Sequence, residues 1–553
     1  MNPLHVAVVG CGPWGLVVLE RVVARWRRDR LPVAVEVLVV DPAPPGGGLY
    51  RGTPEHLLLN TACGEIDVFG DVADRAPGAE SFLEFLHRRG DHVTGPDGPR
   101  PPARADFLPR SWLGAYLEQA YATVVAHLPD GMTVTHLPTG VTSMDADPDG
   151  VALRLEDGSL RRVDAAFVTV GVPTPALDTG VPGPGEDVVV AGMGLTAIDA
   201  VVDMTVGRGG RFVAGAQPGE LAYVPSGDEP VIHQFSRHGF FPLCRPTAPL
   251  DRPDGWEPRL QLEAVDEGAR SVDLAGSVLP ALLERMAQAE RGTDRGTTAS
   301  ASGSSAVRSL LADMDPAAPT FASGPRYGEA VRRALVADLA EGTGAVLPPR
   351  RRGLESMKLL RDDVRRVCDF DRLTPESHDV LLRHVLPLFY RYTVGPPASR
   401  GRELLALARA GVLRHALGPA PRVTRRGAAV RVESTTLVQP EVVEAGHYLE
   451  AFLPAPTPRT LPPFLAGAVR GGQAWLRQVG GRPVGIAVDS RFHPIGPAGT
   501  LTDRVTYLGG LTEGSRHFNF YVPSPGVRSR AHLDVESCVD ELVARLVLQG
   551  APV

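Results

Sequence analysis

The sequence predicts an α/β protein with two parallel β-sheets and a helical insertion. Two glycine-rich turns, at 10–15 and 192–197, each follow a run of β-branched residues and precede a stretch with helical spacing. The segment 251–420 instead carries repeated helical spacing without such turns. A chain of 553 residues is long enough for several domains of roughly 150 residues each. We therefore expect two sheet-containing domains rather than one module.

The first turn has the pattern Gly-Cys-Gly-Pro-Trp-Gly, between a strand over 5–9 and a helix over 16–28. Glycines at these spacings allow a tight turn, a close approach of ligand to backbone and close helix–strand packing, while the helix N-terminus attracts a pyrophosphate. A second strand, over 33–40, leads into an acidic residue that is placed to accept hydrogen bonds from ribose. A bare strand–turn–helix unit is the alternative. The predicted dinucleotide ligands are Gly10, Gly12, Pro13, Trp14, Gly15 and Asp41.

The second turn, Gly-Met-Gly-Leu-Thr-Ala, follows a strand over 187–191 and opens another helix. It predicts a second dinucleotide site at Gly192, Gly194 and Thr196. The next strand, over 231–235, ends close to Arg237. An arginine at this place favours a ribose 2′-phosphate and therefore NADPH, and a solvated strand-end arginine is the alternative.

A third glycine-rich segment lies near the end of the sequence. A strand over 504–510 leads into a short turn, then into a polar and aromatic loop, and finally into a helix over 534–548. Backbone N–H groups in such a turn can contact a flavin ring, which predicts contacts at Gly510, Glu513 and Gly514. In the loop, His517 and Asn519 are candidates for contact with the flavin edge or the substrate.

Composition and residue spacing exclude several classes of protein. The net charge of −7 provides no basic footprint for nucleic acid. Lys358 is the only lysine and no glycine-rich loop precedes it, so a P-loop is excluded. The five cysteines are far apart, which disfavours a disulfide-reductase site and structural zinc and suits a reducing cytoplasm. No apolar run approaches about 18 residues, so we expect no membrane span.

Two similar strands, over 163–171 and 446–453, each run into the tripeptide Pro-Thr-Pro. We interpret them as the places where the chain passes between domains, and coincidence in a proline-rich chain is the alternative. The predicted domains are an FAD-binding part over 1–180, an NADPH-binding part over 181–250, a helical insertion or substrate region over 251–420, return strands over 421–460 and a C-terminal FAD-binding part over 461–553.

Two features of the helical insertion carry their own predictions. The stretch 291–305 is polar and built of small residues, so we expect a mobile loop. The basic run Arg350-Arg351-Arg352 is interpreted as a solvated helix end rather than a phosphate site.

The chain resembles the FAD/NAD(P)-binding flavoproteins common in actinobacteria, which are related in layout to flavin-dependent N-hydroxylating and Baeyer–Villiger monooxygenases. The resemblance spans 1–245 and 420–553 and is carried by residues 10–16, 46–50, 56–60, 109–110, 207–212, 512–514 and 518–521. The FxGxxxHxxxW signature of Baeyer–Villiger enzymes is absent before Gly192, which weakens carbonyl insertion as the activity. In such families the glycine-rich loop and the His-Leu-Leu-Leu-Asn stretch lie along the flavin, which implies contacts at Gly47, His56, Leu58, Asn60 and Arg110.

Within this group, the chain resembles enzymes that oxygenate the amine of a small amino acid, including aspartate N-monooxygenases of natural-product biosynthesis. The resemblance implies FAD, NADPH, O2 and an amino-acid substrate, and the flavin then carries the oxygen transfer. A dicarboxylate substrate would be bound by arginines, and the candidates are Arg245, Arg326 and Arg391. Two alternatives stay open here: an FAD-dependent oxidase or dehydrogenase, and a flavin-binding interaction or regulatory protein.

Overall fold

The structure is a computed structural model of the chain. It describes residues 3–48, 50–70, 75–95, 98–172, 180–250, 256–260, 262, 271–292, 301–314, 320–427, 429–453, 456–519, 522–524 and 530–548, without side chains at 301, 426 and 546–548. The chain divides into two compact units. The first comprises Met1–Pro173, Cys368–Asp371 and Pro454–Val553, and the second comprises Thr174–Val367 and Arg372–Leu453.

A five-stranded parallel sheet forms the centre of the first unit. Its strands lie in the order Val505–Tyr507, Ala165–Val168, Leu4–Val9, Val35–Val40 and Met132–Leu137. Val6, Val8, Val37 and Val39 have no exposed surface. Runs of β-branched residues form such strands because both faces of a parallel sheet are covered.

Helices and small antiparallel elements surround this sheet. The helix Pro13–Asp29 packs beside Arg530–Leu542, with an ion pair of 2.8 Å between Arg25 and Asp540. The other helices are Phe82–Arg89, Arg110–Ala126 and Pro463–Arg470, with 3-10 turns at Cys63–Glu65 and Gly509–Thr512 and a π-helical end at Val543–Leu548. The antiparallel strands are Val93–Gly95, Gly98–Arg100, Val141–Asp147, Gly150–Leu155, Leu160–Val163, Leu476–Val479, Arg482–Ile486, Ile495–Gly496 and Gly499–Thr500.

The second unit has its own parallel sheet. The four strands lie in the order Leu413–Arg414, Val231–Phe235, Asp187–Ala191 and His447–Glu450. Together with the first sheet and the helix Leu195–Asp203, this sheet confirms the predicted α/β fold with two Rossmann-like dinucleotide-binding domains. The unit also contains a 3-10 turn at Val206–Arg208. Its remaining strands are Arg211–Ala214, Leu221–Val224, Arg422–Arg426, Ala429–Glu433 and Val442–Ala445.

The helical insertion is also confirmed, and it belongs almost entirely to the second unit. Its helices are Leu279–Arg291, Ser305–Met314, Gly324–Gly342, Pro349–Cys368, Pro375–Val380, Leu386–Thr393 and Ala398–Arg409, with π-helical turns at Leu274–Val278 and Leu381–Val385 and a 3-10 turn at Ala301–Gly303. Most of the predicted mobile loop, 293–300, lies outside the described residues.

The basic run at 350–352 is not the solvated helix end that we predicted, because its middle residue is buried. Arg351 has no exposed side-chain surface and pairs with Asp338 and, at 3.1 Å, with Glu355. Burial raises the pKa of Glu355, although the Arg351 guanidinium opposes this. The prediction was wrong because Asp338 comes from another helix, Gly324–Gly342, which a local sequence pattern cannot reveal.

The unit boundaries fall just after the two strands that resemble each other in sequence. Ala165–Val168 precedes the boundary between 173 and 174, and His447–Glu450 precedes the boundary between 453 and 454. The first Pro-Thr-Pro tripeptide, 173–175, lies outside the described residues.

Candidate functional site

The first glycine turn forms an open cradle at the N-terminus of the helix Pro13–Asp29. Gly12 is the N-cap, no side chain caps the helix, and a Cβ atom on Gly12 would have no atom within 4 Å. Gly15 is packed closely, because its Cβ would stand 2.1 Å from the carbonyl oxygen of Gly10. Uncapped N–H groups beside open space suit an anion, so this turn fits a dinucleotide pyrophosphate.

Asp41 lies beside this turn. Its Oδ2 accepts a hydrogen bond from Cys11 N–H at 2.6 Å, and its Oδ1 accepts one from Ala43 N–H at 2.9 Å. A carboxylate has about four acceptor positions, so Asp41 can hold the turn and still accept from ribose hydroxyls. Burial, with a further contribution from Asp41, raises the pKa of the Cys11 thiol to about 12, so this cysteine stays neutral. The contact of Asp41 with ribose stays a prediction.

The loop Gly46–Gly48 packs against the helix Arg110–Ala126. Gly46 N–H donates to the carbonyl oxygen of Cys11 at 2.6 Å. A Cβ on Gly46 would lie 2.4 Å from Leu117 O, and one on Gly47 would lie 2.4 Å from Glu118 Oε1. Glycine is therefore required for packing at Gly46, which faces backbone atoms, whereas at Gly47 the Glu118 side chain could move aside. The flavin contact of Gly47 stays a prediction.

The stretch His56–Asn60 runs alongside the start of the same helix. Leu59 N–H donates to Leu108 O at 2.9 Å, and Arg110 Nε donates to Leu58 O at 3.2 Å. The structure thus brings Leu58 and Arg110 together, although 52 positions separate them. His56 and Asn60 are half-buried at the two ends of this pairing.

The C-terminal loop, residues 509–519, closes against the beginning of the first helix. Trp14 Nε1 donates to Asn519 O at 3.3 Å. The Glu513 carboxylate accepts hydrogen bonds from the N–H groups of Phe518 at 3.0 Å and Asn519 at 2.9 Å. A 3-10 turn, Gly509–Thr512, precedes this closure. Trp14, Glu513 and Asn519, all predicted site residues, therefore lie together, with Gly510 and Gly514 in the same loop. Phe520 and Tyr521, like Leu49, lie outside the described residues.

A buried ion network supports the C-terminal loop. Arg516 donates to both oxygens of Asp534, at 2.6 and 2.8 Å, and to Asp369. His517 Nδ1 lies 2.8 Å from Asp369 Oδ1. The sequence analysis missed Arg516, Asp369 and Asp534. No local signal could have found Asp369, because 147 positions separate it from Arg516.

The second glycine turn has the geometry of the first. Gly194 is the N-cap of Leu195–Asp203, no side chain caps this helix, and a Cβ on Gly194 would again have no atom within 4 Å. Gly192 has φ +136°, and its Cβ would stand 2.6 Å from Ala451 O. Thr196 is half-buried in the first helical turn, and Arg237 is exposed just beyond its strand. This turn fits a second dinucleotide.

The three candidate substrate arginines are distributed over two places in the second unit. Arg245 N–H donates to Pro396 O at 2.7 Å, and Leu243 N–H donates to Arg391 O at 2.9 Å, so the backbones around Arg245 and Arg391 lie alongside each other. The guanidinium of Arg391 pairs with Asp313 at 2.5 Å. Arg326 is instead exposed on a helix and pairs with Glu329 at 3.1 Å. A role in substrate binding stays a prediction for all three.

Residues 7–173 match the FAD-NAD(P)-binding family. The match confirms the predicted pair of dinucleotide cofactors, FAD and a nicotinamide dinucleotide of the NAD(P) type. It covers the turn at Gly10–Gly15, Asp41 and the stretch His56–Asn60. The matched residues make up nearly all of Met1–Pro173, the first segment of the first unit.

Similar proteins extend along nearly the whole chain. The L-aspartate N-monooxygenase (nitrosuccinate-forming) of Streptomyces davaonensis is 29% identical over 95% of this chain and 94% of that protein. The protein of the same name in Streptomyces cremeus is 29% identical over 99% of this chain and 96% of that protein. A nitrosuccinic acid synthase of Aspergillus oryzae is 29% identical over 99% of this chain and 93% of that protein. These findings confirm the predicted resemblance and the predicted class, a flavin-dependent oxidoreductase.

Three further observations concern chemistry outside the dinucleotide sites. All five cysteines are free and buried. Among the described residues, no group of three or more His, Cys, Asp or Glu side chains could hold a metal ion. No helix in the same part of the chain is long and apolar enough to cross a membrane.

Proposed function

We propose that this protein is an FAD- and NADPH-dependent N-monooxygenase of a small amino acid, with L-aspartate as the substrate. The observation that carries the proposal is the similarity, along nearly the full chain, to proteins named as L-aspartate N-monooxygenases. The two open glycine turns, each at an uncapped helix N-terminus, support it because the reaction needs two dinucleotides.

The chain's own residues would bind and orient the reactants. The turn at Gly10–Gly15 and the C-terminal loop would hold the FAD, and the turn at Gly192–Ala197 would hold the NADPH. When bound and reduced, the flavin supplies the activation of O2 for transfer of one oxygen atom to the amine. The protein's contribution is then to position the amine and to exclude water.

Three finer statements belong to the same proposal. The exposed Arg237 supports NADPH over NADH, because a guanidinium binds a 2′-phosphate well. Of the two products considered, a hydroxylamine and a nitro compound, the names of the relatives support the nitro compound, and such a product fits natural-product biosynthesis. A cytoplasmic location is supported by the five free cysteines.

The test is turnover of the purified FAD-bound protein with NADPH under ¹⁸O2, with L-aspartate as substrate. We expect NADPH consumption to rise with L-aspartate, and mass spectrometry to find ¹⁸O on the nitrogen of the product. Succinate, which lacks the amine, and L-glutamate, which is one methylene longer, are the matched controls.

The same experiment separates the alternatives. An oxidase or dehydrogenase would reduce its flavin with substrate in the absence of NADPH and would leave no ¹⁸O in the organic product. A flavin-binding interaction protein would show full FAD occupancy without turnover on any amino acid. Either result with L-aspartate would contradict the proposal.

A further inference from the structure

Trp14 lies at a position of the first glycine turn for which the dinucleotide pattern assigns no role. The pattern explains Gly10, Gly12 and Gly15, and none of these glycines requires an aromatic residue between them. Trp14 is nevertheless only 9% exposed, in the first turn of the helix Pro13–Asp29. A buried ring at a helix end that suits a pyrophosphate therefore needs a reason of its own.

The Trp14 ring contacts both ends of the C-terminal loop. At the start of the loop, a Cβ on Gly509 would lie 3.1 to 3.3 Å from three atoms of the indole, so the backbone there lies against the ring. At the end of the loop, the indole Nε1 donates to the carbonyl oxygen of Asn519 at 3.3 Å. One side chain of the glycine turn thus holds the loop at its two ends.

The middle of the loop is held by other parts of the first unit. Ser515 Oγ donates to Ile486 O at 3.1 Å, and Arg516 donates to Asp534 at 2.6 Å and to Asp369. None of these three partners belongs to the glycine turn. The middle of the loop is therefore anchored independently of a cofactor in the turn, whereas Trp14 links the two ends to the turn.

We propose that Trp14 is a positioning residue, which transmits the binding of FAD at the glycine turn to the C-terminal loop and thereby keeps water from the flavin. This inference rests on the proposed function. A pyrophosphate at the N-terminus of the helix fixes the backbone that carries Trp14. The fixed ring then holds Gly509 and Asn519, and the loop between them contains the predicted flavin contacts at Gly510 and Gly514.

A loop that fails to close has a defined chemical outcome. Without transfer to an amine, NADPH, a proton and O2 give NADP⁺ and hydrogen peroxide, so two electrons pass from the nicotinamide to O2. With transfer, one oxygen atom enters the product and the other leaves as water. Exclusion of water favours transfer, so the share of NADPH consumption that ends as hydrogen peroxide measures closure of the loop.

The first test follows hydrogen exchange of the loop with and without FAD, and it requires no turnover. We expect FAD to slow exchange at 518–519 in the wild type. Trp14→Phe keeps a ring against Gly509 but loses the N–H donor, so the slowing should be smaller by about threefold or more, as for one neutral hydrogen bond. Exchange at 515–516, where both N–H groups bond to Thr512 O, should be the same in both proteins. Equal slowing by FAD at 518–519 would overturn the proposal.

The second test measures hydrogen peroxide per NADPH with L-aspartate as substrate. We expect Trp14→Phe to retain FAD at the wild-type ratio and to raise the peroxide share by about threefold or more. Anaerobic reduction of the flavin by NADPH precedes the reaction with O2, so its rate should stay within about twofold of the wild type. A variant with lower thermal stability but an unchanged peroxide share would make Trp14 a structural residue only and would overturn the proposal.

Trp26→Phe is the matched control. Trp26 lies near the other end of the same helix, is buried, and donates its indole N–H to Val33 O at 3.0 Å. The change removes the same kind of hydrogen bond at a place that does not hold the loop, so we expect wild-type exchange at 518–519 and a wild-type peroxide share. If Trp26→Phe raised the peroxide share as much as Trp14→Phe, the proposal would fail. If the wild type did not oxygenate L-aspartate, the proposed function would fail, whereas the exchange measurement would still decide the role of Trp14.

Discussion

Gly12 and Gly15 belong to one sequence pattern, yet the structure requires them for different reasons. Gly12 faces open space, so a side chain there would meet only a bound ligand, whereas a side chain on Gly15 would collide with Gly10 O. From the sequence pattern we correctly predict that both glycines belong to a tight strand–turn–helix unit. It cannot predict residues such as Asp369 or Arg516, because their partners are assembled from distant parts of the chain.

Gly15→Ala tests the packing role at the residue scale. The added methyl would push the helix from the strand, at a cost of about 1–3 kcal/mol, so we expect FAD affinity to fall about tenfold or more. The measurement is the ratio of FAD to protein after purification and dialysis. Gly467→Ala is the control, since it lies in a helix with nothing within 4 Å and should bind FAD normally. Full FAD retention in Gly15→Ala would contradict the packing argument.

Arg237→Ala tests the cofactor preference. A charge-assisted hydrogen bond to a phosphate contributes about 1.5–3 kcal/mol, so we expect kcat/KM for NADPH to fall by about 10- to 100-fold while that for NADH stays constant. Steady-state rates with both cofactors measure this. The exposed Arg211, on the strand Arg211–Ala214 of the same unit, provides the control variant Arg211→Ala. An equal loss with both cofactors would argue against recognition of a 2′-phosphate.

At the scale of secondary structure, the predicted elements agree with the structure where one local pattern defines them. The strand Val231–Phe235 has the predicted bounds. The first helix begins at Pro13, three residues before its prediction, because proline is well suited to the first position of a helix. The last helix, Arg530–Leu542, changes to π-helical geometry at Val543. The pairing of Leu58 with Arg110 could not be predicted, since neither segment has a strand pattern.

Glu513→Ala tests the closure of the C-terminal loop. It removes the acceptor for two backbone N–H groups, which costs about 1–3 kcal/mol for each group that stays buried. We expect the thermal midpoint of the FAD-bound protein to fall by about 4 °C or more. Glu513→Gln keeps one acceptor oxygen, so its thermal midpoint should fall by less than that of Glu513→Ala.

The control for this loop is Glu536→Ala. Glu536 forms a half-exposed ion pair with Arg28 at 3.6 Å, and such a pair contributes less than about 1 kcal/mol. Equal midpoints for Glu513→Ala and Glu536→Ala would show that Glu513 does not stabilise the loop.

At the scale of the whole molecule, acid should destabilise the fold through a buried histidine. Burial lowers the pKa of His532 from 6.5 to about 4, and its Nε2 bonds to Val68 O at 2.7 Å. The unfolded chain therefore binds a proton near pH 6.5 while the folded chain does not. The resulting stability is fully present above pH 6.5 and is lost as the pH falls towards 4, by up to about 1.4 kcal/mol per pH unit.

Thermal midpoints of the wild type and His532→Gln between pH 7 and pH 4.5 measure this contribution. The variant should be less stable at pH 7 but should lose less stability on acidification. His92→Gln changes an exposed histidine, and its thermal midpoint should change with pH as that of the wild type does. If the thermal midpoint changed equally with pH in all three proteins, His532 would not be a cause of the acid sensitivity.

The order of strands in the first sheet also determines when this unit can be completed during synthesis on the ribosome. The edge strand Val505–Tyr507 is translated more than 300 residues after the strand Ala165–Val168 with which it pairs, and the helix Arg530–Leu542 follows it. Until then, the buried apolar face of the helix Pro13–Asp29 lacks its covering helix. A nascent chain in this state is a natural client for chaperones, and a translation pause late in the message would prolong that dependence.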